Sequence, residues 1–282
     1  MSPHHGLAQV MAIVNRTPDS FYDKGATFEL DPAVERGEQA LADGASIIDI
    51  GGVKAGPGEH VDATEEIERV VPTIAELHRR HPEALISVDT WRAEVAEAAI
   101  AAGAGLVNDT WAGWDPELIE VAGEKKVGYV CSHTGGVTPR TRPHRVHFDD
   151  VVADVISETT RLAERAADLG CPEELTFIDP THDFGKNTFH GLELLRRIDE
   201  VVATGWPVLM ALSNKDFVGE TLDRAVDQRE AGTLAATAWS AARLKAYSPP
   251  RGWSMCASSG KNCRSSGLAV SSVTRPPPVG LP

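Results

Sequence analysis

The chain has 282 residues, of which 42% are hydrophobic and only 6% aromatic, and its formal net charge is −14. This length accommodates one large barrel domain or two smaller domains. The negative charge argues against binding along nucleic acid or an anionic membrane surface. No apolar run reaches the roughly 20 residues that cross a bilayer, and residues 1–9 lack the apolar core of a signal peptide. We therefore expect a cytoplasmic protein.

Apolar runs typical of strands alternate with helix-like segments along most of the chain. Thr64 is the predicted N-cap of the second helix. Strands that alternate with helices predict a parallel sheet, and near-continuous apolar strands indicate burial on both faces. The elements predicted in chain order are strand 8–15, helix 31–44, strand 46–52, helix 64–80, strand 85–90, helix 92–103, strand 106–110, helix 116–126, strand 127–133, helix 149–170, strand 175–180, helix 191–205, strand 207–213 and a helix over about 231–245.

Polar side chains lie at the ends of these apolar strands. In a (βα)8 TIM-type barrel all such ends meet on one face, which is where active sites lie. An open doubly wound sheet also binds ligands at these ends, and it is the alternative architecture. We expect an α/β barrel over residues 1–246. The polar strand-end residues are Asn15, Asp49, Asp89, Asn108, His133, Asp179 and Ser213.

The last segment of the chain, residues 247–282, departs from this pattern. It contains no Asp or Glu, it is rich in Ser, Pro and Gly, and it shows no periodicity. Such a composition predicts disorder. We therefore expect the eighth βα unit to be missing or degraded, through a shifted reading frame near residue 244 or a natural loss. The first and seventh strands would then have unpaired edges.

A set of short motifs carries a family resemblance. The segment MAIVNRTPDSFYDKG at 11–25 is similar to the first signature of the dihydropteroate synthase family, usually NVTPDSFSDGG. Further family motifs follow in the same order: DIGG with a following PG at 49–58, SVDT at 87–90, NDT at 108–110, DP…FGK at 179–186 and SNK…VG at 213–219. The resemblance covers residues 8–246 and implies the (βα)8 barrel of that family.

The resemblance implies a reaction and a set of site residues. The family joins 6-hydroxymethyl-7,8-dihydropterin pyrophosphate to 4-aminobenzoate and releases pyrophosphate. By position, Asp89, Asn108 and Asp179 would hydrogen-bond the pterin, and Lys215 would lie alongside it. Asn15 would help to hold a Mg²⁺ ion that bridges the pyrophosphate. Buried polar groups of this kind select a ligand with a matching pattern. The alternative is that these side chains only cap βα turns.

The sequence departs from the family pattern at its anion-binding positions. The family's DIGGESTRPG reads DIGGVKAGPG here, so Gly56 replaces an Arg that would contact phosphate. Lys54 and Arg16 are the candidate replacement cations. The family's SRKS reads SNKD, which places Asp216 where a Ser would help to receive the 4-aminobenzoate carboxylate. An acidic side chain there is expected to satisfy the helix N-terminus and repel a second anion.

Other family features are also absent. Two glycines of the family's DPGIGFGK become Thr181 and Asp183, and no RVHDV-like strand follows Lys245. We therefore predict a homologue with little or no synthase activity, which resembles the divergent second paralogue of some bacteria. The alternatives are an active synthase with atypical pyrophosphate contacts, and a non-catalytic binding or regulatory protein or another pterin-site enzyme. Family members dimerise through their last helices, so a missing eighth helix argues against a homodimer.

Overall fold

The structure is a computed structural model that describes residues 8–18, 27–141, 146–246 and 255–258. Residues 19–25 of the first family signature and most of the segment 247–282 therefore lie outside the described residues. The strands are β1 (Gln9–Asn15), β2 (Ile47–Gly51), β3 (Leu85–Asp89), β4 (Leu106–Asp109), β5 (Gly128–Ser132), β6 (Thr176–Asp179), β7 (Leu209–Ala211) and β8 (Met255–Ser258).

Helices separate the strands along the chain. They are α1 (Leu30–Ala42), α2 (Ala63–Arg80), α3 (Ala93–Ala101), α4 (Pro116–Lys125), α5 (Val151–Leu169), α6 (Thr188–Arg196), α7 (Ile198–Val202), α8 (Asp216–Leu222) and α9 (Glu230–Ala246). The helix predicted over 191–205 is thus two helices that meet at Arg197. The N-cap of α2 is Asp62, whose carboxylate accepts the backbone N–H of Glu65 at 2.9 Å, so the assignment of Thr64 as the cap is wrong.

The strands form one parallel sheet that closes on itself. Its order is β6-β5-β4-β3-β2-β1-β8-β7, and a parallel bridge between Ile178 and Val208 joins β6 to the segment that leads into β7. The backbone N–H of Ile178 donates to the Pro207 carbonyl at 2.8 Å at the same junction. A closed parallel sheet whose strands alternate with helices is a (βα)8-type barrel. This closure excludes the open doubly wound sheet.

An eighth strand is present, so the prediction that the eighth βα unit is missing is wrong for its strand, and the helix of that unit would lie outside the described residues. Met255 pairs with Gln9 of β1 and with Leu209 of β7, so β8 covers both of the edges that were expected to be open. These four residues lie inside the segment that was predicted to be disordered. A strand this short has no readable periodicity of its own. It is stabilised by hydrogen bonds to two distant strands, which local sequence patterns do not reveal.

Two apolar clusters form the core. One fills the layer between the sheet and the helices. The second is small and is drawn from six strands, and it consists of Met11, Ile47, Leu106, Val130, Phe177 and Leu209. Residues from six strands can pack together only inside the ring of strands, so this cluster closes the barrel interior. None of the described helices is both long enough and apolar enough to cross a membrane.

Strand register brings the polar strand ends together. Asn15 pairs with Gly51, Gly51 with Asp89, and Asp89 with Asn108, so that three polar ends of β1, β3 and β4 lie at the same level. On the other side of the ring, Asp179 pairs with Ser132 at the end of β5. The predicted convergence of these side chains at one face of the barrel therefore follows from the hydrogen bonding of the sheet.

Candidate functional site

A cavity of about 320 Å³ lies at the C-terminal ends of the strands. Its lining comes from the ends of β1 to β7 and the loops that follow them. The lining residues are Asn15, Thr17, Val53, Lys54, Ala55, Gly56, Asp89, Trp111, Val137, Thr141, Asp183, Phe184, Gly185, Ser213, Asn214, Lys215 and Asp216. A pocket at this face of a parallel barrel is where catalytic and binding residues of such folds lie.

Four of the seven predicted site residues line this cavity, namely Asn15, Lys54, Asp89 and Lys215. Two of them, Asn15 and Asp89, lie beside Gly51. A Cβ atom added at Gly51 would lie 3.4 Å from Asp89 Oδ2 and 3.7 Å from Asn15 Oδ1. Both side chains therefore lie over the same glycine at the end of β2, and a Cβ there would make ordinary van der Waals contact with each of them.

A buried carboxylate, Asp49, and a partly buried one, Asp89, lie next to each other near the end of the sheet. The Asn108 amide donates to Asp49 Oδ2 at 3.0 Å, and the Thr110 hydroxyl donates to Asp89. Burial raises the pKa of Asp49, and burial together with the charge of Asp49 raises the pKa of Asp89 well above its usual range. Asn108 is buried and is not part of the cavity lining. It orients Asp49, a strand-end residue that sequence reasoning noted without giving it a role in the site.

Asp179 is also buried, at the end of β6, and it does not line the cavity. Its Oδ1 accepts the backbone N–H of Thr181 at 2.7 Å. Burial raises the pKa of Asp179 to about 6, although Lys215 and Lys186 oppose that change. Buried carboxylates with raised pKa values are typical of binding and catalytic sites, because they can accept or share protons with a ligand.

Lys215 lies against an aromatic wall. Its Nζ is 4.8 Å from the centre of the Phe184 ring, and that ring makes an edge contact with Trp111 at 5.1 Å between centroids. Phe184, Trp111 and Lys215 all line the cavity. An ammonium group over an aromatic face is held in place electrostatically. The cavity thus combines flat apolar walls with a positioned cation.

The two candidate replacement cations have different positions. Lys54 lines the cavity beside Ala55 and Gly56. Arg16 is buried, and its Nε donates to the Arg69 carbonyl oxygen at 2.9 Å. Its guanidinium therefore packs on α2, and it is not part of the cavity lining. Of the two candidates, only Lys54 is in a position to contact an anion bound there.

At the N-terminus of α8, a backbone N–H donates to a carboxylate that was not predicted from the sequence to lie there. Asp183 Oδ2 accepts the backbone N–H of Asp216 at 2.5 Å, and Asp183 has the left-handed φ of 72° that favours glycine. The Asp216 carboxylate instead pairs with Arg229 Nη1 at 2.8 Å. The expectation that Asp216 itself satisfies this helix end is therefore wrong. Asp183 does so, and both carboxylates border the cavity.

Lys186, the last residue of the DP…FGK motif, is a buried cation to which the sequence analysis gave no role. Its Nζ donates to the carbonyl oxygens of His133, Thr181 and Phe184 at 2.6, 3.2 and 3.1 Å. Burial lowers the pKa of Lys186 to about 7. Because the ammonium is surrounded by carbonyl oxygens, its role is to hold together the loops that follow β5 and β6. Those loops carry Phe184 and Asp183 into the cavity.

The residues around Asn15 provide hard oxygen donors for a metal ion. Within the described ranges, no group of three or more His, Cys, Asp or Glu side chains is arranged to hold a metal. Asn15 and Asp89 supply an amide oxygen and a carboxylate near each other. This donor set suits a Mg²⁺ ion that completes its shell with water and ligand phosphate oxygens, and it does not suit a cage built from protein alone.

Comparisons with known proteins point to one family. The model of a family described as "Pterin binding enzyme" matches residues 11–244. A relative from Mycobacterium bovis, named "Inactive dihydropteroate synthase 2", is 62% identical over 239 residues, which are 83% of this chain and 75% of the relative. A "Dihydropteroate synthase" from Streptococcus pyogenes is 37% identical over 238 residues, covering 83% of this chain and 86% of the relative. The solved structure of dihydropteroate synthase from Xanthomonas albilineans in complex with 7,8-dihydropteroate is 34% identical. It has a TM-score of 0.74 and aligns with 89% of this chain and 87% of its own.

Proposed function

We propose that the cavity of this chain, which belongs to the pterin-binding enzyme family and is a homologue of dihydropteroate synthases, binds a pterin. We further propose that it has little or no activity in joining 6-hydroxymethyl-7,8-dihydropterin pyrophosphate to 4-aminobenzoate. The observation that carries this proposal is the contrast between the two halves of the cavity. Polar groups suited to a pterin lie at the strand ends, whereas the positions for anions carry neutral or acidic side chains.

The strand-end groups support pterin binding. Asp89 and Lys215 line the cavity, and Asn108 and Asp179 lie buried at the ends of neighbouring strands. A pterin edge presents alternating N–H donors and acceptors. Protonatable carboxylates and an amide match such an edge, and leaving them unmatched in a buried site is unfavourable. Phe184 and Trp111, whose rings meet edge to face, add apolar surface on which the ring can pack.

The anion positions support the loss of activity. Ala55 and Gly56 line the part of the cavity where the family carries Thr and Arg, and Asn214 stands in place of an Arg. Asp183 and Asp216 add two carboxylates beside them. A pyrophosphate leaving group needs nearby positive charge, and a carboxylate substrate is repelled by like charge in a site of low dielectric constant. Lys54 is the cation that remains next to Gly56.

A Mg²⁺ ion belongs to this proposal as a group that a pyrophosphate ligand would bring. Asn15 would hold it, with Asp89 close by, and the ion would supply positive charge to the pyrophosphate oxygens. Asn15 contributes a neutral oxygen, so the protein side of this site binds the ion weakly without the ligand. We therefore expect the ion to raise affinity for the pyrophosphate ester and to leave affinity for the unesterified pterin unchanged.

Titration calorimetry tests the proposal directly. We expect 6-hydroxymethyl-7,8-dihydropterin to bind the wild-type protein, and Asp89→Asn to weaken that binding about tenfold or more. Asp62→Asn is the control, because an asparagine caps α2 as an aspartate does. A parallel assay with the pyrophosphate ester, Mg²⁺ and 4-aminobenzoate should show no turnover.

Either of two results would contradict this reading. Turnover at a rate typical of working enzymes, about 1 per second or faster, would mean that Lys54 and the ion replace the lost anion contacts and that the chain is an active synthase. Failure of the pterin to bind to a folded wild-type protein would mean that the cavity serves another ligand. The comparison of Asp89→Asn with Asp62→Asn keeps a general loss of folding from being mistaken for a loss of binding.

A further inference from the structure

A second cavity, of about 510 Å³, lies between the loop after β4, the loop after β5 and helix α5. Among the described residues, it shares only Trp111 and Val137 with the cavity at the strand ends. None of the seven site residues predicted from the sequence lines it. The family resemblance therefore gives this cavity no role. The kind of ligand that it would bind is inferred from the residues that line it.

The walls offer flat apolar surfaces. Trp111 is buried, whereas Trp114 is 53% exposed, and both line the cavity together with Phe148. The Phe148 ring lies 5.7 Å from the His133 ring and 5.2 Å from the His190 ring. Indole and phenyl faces of this kind favour a planar ligand, which gains apolar contact over its whole face. An exposed indole at the rim is costly to leave in water.

A buried histidine positions the carboxylate that supplies the polar contact. His133 lines the cavity and is only 2% exposed, and its Nε2 lies 2.6 Å from Asp154 Oδ1. The other ring nitrogen, Nδ1, has no hydrogen-bond partner among the described residues. Burial lowers the pKa of His133 to about 4, so the ring is neutral at neutral pH. With its Nε2 proton shared with Asp154, the ring holds that carboxylate at the cavity, while Nδ1 is an enclosed acceptor that lacks a donor among the described residues.

The described residues around the cavity carry more acidic than basic charge. Asp154 and Glu158 both line it, and the cation among the described lining residues, Arg161, is paired with Glu158 at 2.8 Å. This leaves the Asp154 carboxylate in excess. A ligand with a negative charge would be repelled there, and one with N–H donors or a positive charge would be attracted.

The loop after β5 leaves space for a ligand. Gly135 and Gly136 both have left-handed φ angles, of 65° and 79°. A Cβ atom at Gly135 would lie 2.8 Å from the Phe148 ring, so glycine is needed there for close packing. A Cβ at Gly136 would meet nothing within 4 Å, so the loop opens at this point. The pair of glycines thus holds Phe148 in the wall and leaves the adjacent space open.

We propose that this second cavity binds a planar aromatic ligand that carries N–H donors and no negative charge. The aromatic rings would enclose its faces, and the Asp154 carboxylate, which His133 positions, would accept its donors. The site is separate from the proposed pterin site, and it does not depend on whether that site binds a pterin.

Benzamidine is the probe for this site, because it is planar and cationic and has N–H donors, and benzoate is the matched anion. We expect calorimetric titration to detect benzamidine binding and no benzoate binding. Asp154→Asn and Trp114→Ala should each weaken benzamidine binding about tenfold. The matched controls are Glu164→Gln, an exposed acid on the same helix, and Trp239→Ala, an indole that is 47% exposed on α9.

Asp89→Asn separates the two cavities, because Asp89 belongs only to the one at the strand ends. We expect this variant to bind benzamidine as the wild-type protein does. The proposal is overturned if the wild-type protein does not bind benzamidine, or if Asp89→Asn abolishes binding and Asp154→Asn does not. It is also overturned if Trp239→Ala has the same effect as Trp114→Ala. Should Trp114→Ala fail to fold, Asp154→Asn decides the test, since asparagine preserves a hydrogen bond to His133.

Discussion

Replacing Asp179 by asparagine should stabilise the protein and weaken pterin binding at the same time. Burial raises the pKa of Asp179 from 3.8 to about 6. The folded chain therefore holds this proton more tightly than the unfolded chain, and stability falls as pH rises from about 4 to about 6. Each pKa unit corresponds to about 1.4 kcal/mol, so the ionised carboxylate costs about 3 kcal/mol at neutral pH.

Asparagine removes that cost and keeps the local contacts. Its side-chain oxygen can still accept the backbone N–H of Thr181, which lies 2.7 Å from the carboxylate in the wild-type protein. We therefore expect Asp179→Asn to raise the free energy of unfolding by about 3 kcal/mol at neutral pH and by about 1.5 kcal/mol near pH 5. At still lower pH the gain should disappear, because the carboxyl is then protonated in both states.

Urea denaturation followed by far-UV circular dichroism, at neutral pH and near pH 5, measures both values. Asp149→Asn is the control, since this side chain is fully exposed, and it should leave the stability unchanged at both pH values. In calorimetry, Asp179→Asn should lower affinity for 6-hydroxymethyl-7,8-dihydropterin about tenfold. A gain in stability that does not depend on pH, or a loss at neutral pH, would refute the conclusion that burial destabilises the ionised form of Asp179.

Three further substitutions test other parts of the structure. Arg92→Ala removes the ion-pair partner of the fully buried Glu66 and should lower the free energy of unfolding by about 3 kcal/mol; a urea titration that gives less than about 1 kcal/mol would contradict this. Lys54→Ala should weaken calorimetric binding of the dihydropterin pyrophosphate about tenfold and leave the unesterified pterin unaffected; equal losses would exclude an anion contact. Asp183→Asn should raise affinity for 4-aminobenzoate relative to neutral 4-aminobenzamide about fivefold, and an unchanged ratio would show that its charge does not exclude carboxylates.

The sequence predicted the fold well wherever a strand or helix has a long apolar pattern of its own. The first seven strands lie close to their predicted ranges because each one is buried on both faces. The eighth strand, Met255–Ser258, was missed, because its identity comes from hydrogen bonds to β1 and β7 and not from its composition. Likewise Asp62 and not Thr64 caps α2, a difference of two residues that only backbone geometry decides.

The site was predicted in part for the same reason. Residues at strand ends, such as Asp89, lie where the register places them, and the motifs located them in advance. Arg16 was a candidate for contacting an anion in the site. It directly follows β1, and its guanidinium is buried against α2. In the sequence, Asp183 was noted only as the replacement for a glycine of the family motif. Its contact with the Asp216 N–H joins the loops after β6 and β7, which are 33 residues apart in sequence, so no local pattern reveals it.

The residues that we propose for pterin recognition and those at the anion positions belong to different structural elements, so one function can be lost without the other. Asp89, Asn108 and Asp179 are strand residues, and the hydrogen bonding of the barrel fixes their positions. The changed positions Ala55 and Asn214 belong to loops after β2 and β7, where substitution leaves the sheet intact. In the function that we propose, binding of the ring needs only the first set, whereas group transfer needs charge stabilisation that develops in the transition state and comes from the second. A barrel that keeps the first set and loses the second is expected to bind a pterin without transferring it.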